Sequence, residues 1–461
     1  MTMTKLGTKL GKLLAVWAVV AAVFLVVSAS AQSKARIVRL SDVEGSAQID
    51  RGAGDGFSKA FLNLPVIEGC KLKTGKDGRA EVEFEDGSSL RLAPDSEVDF
   101  TRLSLGADGQ KLTTVQLVSG TLYANLHPKR AGGKSDIGDQ FLLNFSQESI
   151  AVSEAAHFRV ELTGAQATVA VFKGKVSATS PSGQVDVAEK HSATIDLADP
   201  AKKDAVVVAK NYNPEPTDAW DRQQADYHDR YVSAGSPNLS SPYTYGVSDL
   251  NYYGSFMNCP GYGMGWQPYF TDANWNPFQD GGWMWYPGSG YNFVSSYPWG
   301  WMPYRYGSWA FASGCGGWMW QPGPLNNWNN WYAIPPVKNP PKHFPVPRPP
   351  VLGGLTVMVG RGLTANPAPG VPRRLIINPG SAGFGVPRGS VQHLDHVAKT
   401  MVQTSRPVAV WTARPVSTAT STSTTGFGGR SSYTPAPTMT TTPTGIGSTS
   451  SPSRSASSPH H

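Results

Sequence analysis

Few residues in this chain have the type and spacing that chemistry needs. His393 and His396 stand three apart, a separation at which two imidazoles share a helical face and could clasp a metal ion. The sequence offers them no third ligand nearby, so a solvated face is expected and no metal is assigned. The only three cysteines, Cys70, Cys259 and Cys315, lack the C-x-x-C spacing of a zinc or redox site. Cys259 and Cys315 both fall in an aromatic stretch and are a candidate disulfide in an oxidising compartment, leaving Cys70 unpaired; the sequence leaves open whether they meet. No nucleophile elbow, zinc-protease helix, phosphate loop or dinucleotide fingerprint occurs. No catalytic residue and no cofactor is assigned, and the expectation is a protein that is not an enzyme.

What remains is aromatic. Trp283-Met284-Trp285 and Trp318-Met319-Trp320 have the period-2 spacing that puts both indoles of each pair on one face of a strand. Such pairs either stack inside a core or form an open platform for sugar rings. Asn326, Asn327, Asn329 and Asn330, around Trp328 and Trp331, would supply hydrogen bonds to a glycan. Eleven of the 14 Trp lie between Trp266 and Trp331, and Val294 and Leu325 are the only Val, Leu or Ile between Gly254 and Tyr332. Any core there must be aromatic, so most indoles are structural. The candidate ligand or partner surface is drawn from Trp283, Trp285, Trp318, Trp320, Trp328 and Trp331.

The elements around these residues follow from composition and period. The chain has 461 residues, 49 Gly and 37 Pro, with only 16% charged, which excludes a single compact helical domain. The net charge of +7 divides unevenly: residues 1–31 carry three Lys and no acid, the stretch from Ala333 carries twelve Lys/Arg against Asp395, and the body is left mildly acidic. Lys5, Lys9 and Lys12 precede the apolar run Leu13–Val27, and Ser28-Ala29-Ser30-Ala31 follows. This is the pattern of a signal peptide cleaved near Ala31. A helix of that length rises roughly 22 Å, short of the ~30 Å hydrocarbon core. The mature protein is therefore expected to be secreted or periplasmic, meeting the membrane only through this segment if it stays uncleaved.

Short strands dominate from residue 36 to about 200. Arg79-Ala-Glu-Val-Glu-Phe84 and Ser89-Leu-Arg-Leu92 alternate small or apolar with charged side chains, as half-buried strands do. Asp77-Gly78, Asp86-Gly87 and Asp108-Gly109 supply turns. Val115–Val118, Gly120–Tyr123, His157–Leu162, Thr168–Phe172 and Lys175–Ala178 continue the series, giving an all-β sandwich, roll or solenoid. A helix is expected over 214–233, capped by Thr217 or Asp218, with Trp220, Gln224, Tyr227 and Tyr231 on one face as a docking stripe. Residues 240–335 form a second, aromatic-rich β unit with an internal repeat. Gly265-Trp-Gln-Pro-Tyr269 returns as Gly300-Trp-Met-Pro-Tyr304, and Gly281–Gly288 as Gly316–Gly323, both at an offset of 35. Residues 336–461 are expected to be a Pro-rich, then Ser/Thr-rich, basic and largely disordered tail, with a short amphipathic stretch capped by Ser390.

Val43–Ala47, Gly69-Cys-Lys-Leu-Lys-Thr-Gly75, Gly78–Phe84, Asp86–Leu92, Val115–Gly120 and Thr168–Val176 together resemble the FecR-type domain. The resemblance covers roughly residues 37–197, with Cys70 in place of the usual acidic residue and Ala156-His157 in place of Gly-Thr. It implies a periplasmic β-sandwich or β-roll with no catalytic residues. The cytoplasmic sigma-binding segment of the best-known members is not found in this sequence. The aromatic region likewise resembles the Trp/Tyr/Gly-rich repeats that often follow FecR-type domains. The expectation is an extracytoplasmic interaction or scaffolding protein whose partner is an envelope protein; the alternative is a cell-wall glycan held by exposed Trp. Nucleic acid is not expected, because the Trp cluster lacks interleaved Lys and Arg.

Overall fold

The computed structural model describes residues 36–403 except 107–109, 128–138, 203, 234–238, 240–243, 273, 288–289, 324–354 and 359–373. The signal segment, Trp328, Trp331, the Pro335–Pro350 run and the Ser/Thr-rich stretch from Ser417 lie outside the described residues.

The mainly β character holds. Among the described residues, seventeen strands from Val38 to Lys210 form the first unit. Its organiser is the 16-residue strand Lys111–Leu126, which belongs to both layers. The first half pairs with Glu97–Leu105 on one side and, in parallel, with Gln140–Phe145 on the other. The second half pairs with Ser89–Leu92 and Ala156–Thr163 in the opposite layer. Gly120 sits at the change-over with φ +78°, and a Cβ there would lie 2.5 Å from the Asp95 carbonyl, so the bend demands glycine. Between the layers the small or apolar members of each alternating strand form an aliphatic core that includes Leu40, Val82, Leu90, Phe100, Leu122, Phe158 and Val169. The unit continues past residue 200: its last strand is Val206–Lys210.

Helix α1, Asp218–Ser233, then crosses the outer face of one layer. Trp220, Gln224 and Tyr227 are buried, as a docking stripe requires, and the Arg79 guanidinium lies 5.4 Å over the Trp220 ring. A seven-residue helix not evident in the sequence, α2 (Val247–Tyr253), leads into the aromatic unit. That unit holds a four-stranded sheet (Gly254–Cys259, Gly263–Pro268, Gly317–Gln321, Ser308–Ala312) and the separate hairpin Gly281–Tyr286/Gly290–Ser295. The sequence repeat becomes a repeated structure only in part: Gly281–Tyr286 and its counterpart Gly317–Gln321 are each a strand of an antiparallel hairpin, but the first motif diverges. Trp266 lies in a strand, whereas its counterpart Trp301 precedes a 3-10 turn; both are nonetheless buried.

One stretch of the segment read as tail belongs to this core. After the strand Arg374–Ile377, residues 378–399 run over the aromatic unit into α3, Leu394–Gln403. Ile377, Ala382, Val386, Val391 and Leu394 are buried beside Tyr252, Tyr253 and Trp299. The composition of 336–461 as a whole hid this apolar minority.

Candidate functional site

Among the described residues, a dense gathering of buried ionisable side chains lies where the two units meet. On Arg79–Glu83 and Ser89–Leu92 the apolar residues face the aliphatic core, and the alternation puts Glu81, Glu83 and Arg91 on the other side. The sequence pattern alone would place that side in water. It is instead covered by α1, α2 and residues 378–399, and Arg39, Glu81, Glu83, Arg91 and Asp249 are all at most 1% exposed.

Pairing makes that burial tolerable. Glu81 accepts from the Arg388 guanidinium at 2.7 Å, from Arg91 at 2.7 Å and from the Ser41 hydroxyl at 2.6 Å, and His228 Nε2 lies 2.8 Å away. Arg388 also grips Asp249 through Nε and Nη2 at 3.0 and 2.9 Å, a two-point contact. Arg39 reaches Asp249 at 2.6 Å and Glu83 at 3.2 Å, and donates to the Asn63 side chain and the Pro298 carbonyl. Glu83 also receives the N–H of Gly246, which holds φ +80° at the start of α2. Farther along, Asp221 joins Arg91 to His157, each at 2.7 Å, and Asp218 joins Arg159 (2.5 Å) to the Tyr123 hydroxyl (2.8 Å). Asp218 is thus a tether of the helix to the sheet beneath it, not simply a cap.

The electrostatics follow from this packing. Against the cost of burial, His228, Arg91 and Arg388 hold the Glu81 carboxyl well below its usual range, and Arg388 and Arg39 lower that of Asp249. Burial pushes the Tyr227 hydroxyl well up, helped by Asp249, to which it donates at 2.8 Å. Four separate parts of the chain converge here: the β unit, α1, α2 and residues 378–399. The arrangement is a buried ionic lattice that clamps two domains together. Sequence reasoning missed it; the one available signal was that Glu81, Glu83 and Arg91 repeat at period 2 opposite a core face.

The predicted surface fares unevenly. Trp285 is 42% exposed, while Trp320 is fully buried, Trp283 is buried and Trp318 is half-buried. Equivalent positions in the repeat thus have opposite fates. Trp320 lies on the strand flanked by two others in the four-stranded sheet, whereas Trp285 sits on a two-stranded ribbon. Each predicted Trp pair is split into a more buried and a less buried member. Tyr262 and Phe311 join Trp285 among the exposed aromatic side chains, at 44% and 47%. The Cys259–Cys315 disulfide is formed, linking positions 56 apart, and Cys70 is free and buried. Beside His393 and His396 the structure brings a third donor, Asp395, within 4.8 Å, which the sequence reading overlooked; it also pairs with Lys399 at 3.3 Å. Among the described residues no helix is long and apolar enough to cross a membrane.

Residues 71–177 match the FecR protein family, and residues 247–337 match a family of unknown function, DUF6600. Two solved structures are similar, each a proposed anti-sigma factor from Parabacteroides distasonis ATCC 8503. One is 16% identical, with 32% of this chain and 63% of that chain covered and a TM-score of 0.26. The other is 15% identical, with coverages of 38% and 81% and a TM-score of 0.26. None of the curated proteins matches the chain.

Proposed function

We propose that this chain, a FecR domain followed by a DUF6600 region, is an extracytoplasmic, non-enzymatic scaffolding protein of the cell envelope. The observation that carries this reading is the ionic lattice. Strongly shifted titratable groups often mark catalytic clefts. Here Glu81, Asp249 and Asp221 lie where the two domains dock, paired with Arg39, Arg91 and Arg388, and the neutral Tyr227 hydroxyl donates to Asp249, so they serve rigidity. A rigid two-domain body with exposed aromatic side chains suits holding a partner better than turning over a substrate. The export signal in the sequence supports the compartment.

A second reading has its own support. Trp285, Tyr262 and Phe311 are exposed in a unit with few charges, which suits stacking on neutral sugar rings. The whole chain and its Trp285→Ala form, incubated with purified cell-wall polysaccharide at low and high salt, separate the two. Scaffolding predicts no salt-resistant co-sedimentation, together with a discrete protein adduct when a photo-crosslinker at position 285 is activated in intact envelopes. Salt-resistant binding lost in Trp285→Ala would replace scaffolding with the glycan reading.

A further inference from the structure

The β unit ends in an open edge. Strand Val206–Lys210 pairs with His191–Asp196 on one side, and among the described residues no strand is paired with its other side. The Asp196 N–H donates to the Ala205 carbonyl and the Asn211 N–H to the Lys190 carbonyl, both at 2.8 Å. Antiparallel ladders alternate, so residues 205, 207, 209 and 211 turn their backbone groups inward, and Val206, Val208 and Lys210 turn theirs outward. Val207 is 60% exposed and Val208 44%; as neighbours they point to opposite faces, so both faces are open there, while Val206 packs against the aliphatic core. Natural edges are usually blunted by proline, inward charges or bulges. This one presents Val-Val-Val-Ala ahead of a single lysine.

The sequence of this edge is self-complementary. Asp204-Ala-Val-Val-Val-Ala-Lys210 reads alike in both directions except that its ends carry opposite charges. An antiparallel pairing with a second copy about an axis through Val207 sets Val206 opposite Val208, Ala205 opposite Ala209 and Asp204 opposite Lys210. The backbone agrees with this register. Outward-turned Val206 meets outward-turned Val208 of the second copy, and Val207 faces itself across a non-hydrogen-bonded pair. A slip of one residue would set outward groups against inward ones and lose the ladder.

We infer that Val206–Lys210 is a self-association edge that joins two copies of this chain in a two-fold, isologous antiparallel pair. The occupant is a second copy because the apolar run and the terminal charges complement themselves. An edge of five residues buries less than the ~1,200 Å² of a stable interface, so the dimer is weak and concentration-dependent. The inference concerns a surface apart from the aromatic unit and stands whether the partner there is protein or glycan.

The register makes a sharp test in the whole chain. Opposed Cα atoms in a non-hydrogen-bonded pair lie about 4.5 Å apart, within disulfide reach. With copper–phenanthroline as oxidant, Val207→Cys should cross-link to twice the 49.3 kDa chain mass, while Val208→Cys, which faces position 206, should cross-link far less. Sedimentation equilibrium should show the dimer weakened roughly two- to tenfold by Asp204→Lys or Lys210→Asp and restored by the double exchange. Equal cross-linking at 207 and 208, a chain monomeric up to about 100 µM, or a dimer indifferent to the single reversals would each overturn the inference.

Discussion

The two cores of this molecule solve the same packing problem with different materials. The β unit fills its interior with Val, Leu, Ile and Phe held in regular ladders. The aromatic unit buries Trp266, Trp299, Trp301, Trp320, Tyr253 and Tyr297 in a chain broken by glycine and proline. Burial of aliphatic groups has no preferred direction, so the ladders must supply the order. Aromatic residues bring their own. Trp266 Nε1 donates to the Leu250 carbonyl at 3.0 Å, Trp299 Nε1 to Ala382 at 2.7 Å and Trp320 Nε1 to Tyr306 at 2.6 Å. The Tyr253 hydroxyl donates to Val386 at 2.7 Å. Rings also stack: Tyr297 on Trp299 at 4.9 Å and Trp299 on Tyr304 at 5.9 Å. Trp266, Trp299, Trp320 and Tyr253 are thus both filler and fastener, whereas the buried Trp301 Nε1 makes no hydrogen bond among the described residues and that ring serves as filler.

The largest effect expected comes from removing such a fastener. Trp299→Ala should cost about 3–5 kcal/mol in chemical unfolding. The comparison is sharper with conservative swaps. Trp299→Phe keeps a ring but strips the donor from the buried Ala382 carbonyl, and should cost about 1–3 kcal/mol. Phe158→Leu in the aliphatic core should cost under about 1.5 kcal/mol. Matching costs for the two would mean that direction is unimportant in the aromatic core.

This contrast explains what was legible in the sequence. Period-2 alternation announced the strands around Arg79–Glu83 and Ser89–Leu92, because their ladders and core faces are local properties. The stripe of Trp220, Gln224 and Tyr227 announced α1 for the same reason. The partners of Glu81 were not legible: Arg388 lies 307 positions away and His228 lies 147 away, and no local pattern encodes such encounters. Nor could the repeat reveal that Trp285 and Trp320 part company, since burial depends on which neighbouring strand pairs with each copy. The disulfide was half legible, as a candidate whose geometry only the fold could supply.

The disulfide gives the second test. Cys259 and Cys315 close a long loop through the aromatic unit, and their small buried cluster holds only Ala312 and Met319 besides. Reduction should cost about 2–4 kcal/mol, chiefly by freeing the unfolded chain. Because the aliphatic core contains no cross-link, the loss should appear in Trp fluorescence of the aromatic unit, with hydrogen exchange in the β strands largely unmoved. Equal loosening of both would show that the ionic lattice makes them one cooperative unit, and would erase the distinction between the cores in stability.

The last test lies on the seam between the two regions. Asp42 sits at the rim of the lattice, accepting from the Gln224 side chain at 3.3 Å. Burial pushes its carboxyl up to about 7, against the pull of Arg388, with Glu44, Glu81 and Asp249 adding to the rise. A folded value above the unfolded one means that the folded protein holds the proton more tightly. The contribution of Asp42 is therefore fully present below about pH 4 and is lost as pH rises through 7. Glu81, Asp221 and Asp249 are shifted down and act oppositely, losing their contribution as pH falls through their lowered values. Burial pushes the Glu83 carboxyl up as well, in the same sense as Asp42, so stability should peak in mild acid and decline toward neutrality. Asp42→Asn should flatten that decline without altering the acid limb, read as denaturation midpoints between pH 4 and 8. An unchanged slope in Asp42→Asn would mean that Arg388 neutralises the rim as fully as it does the interior, making the seam no more sensitive to protons than either core.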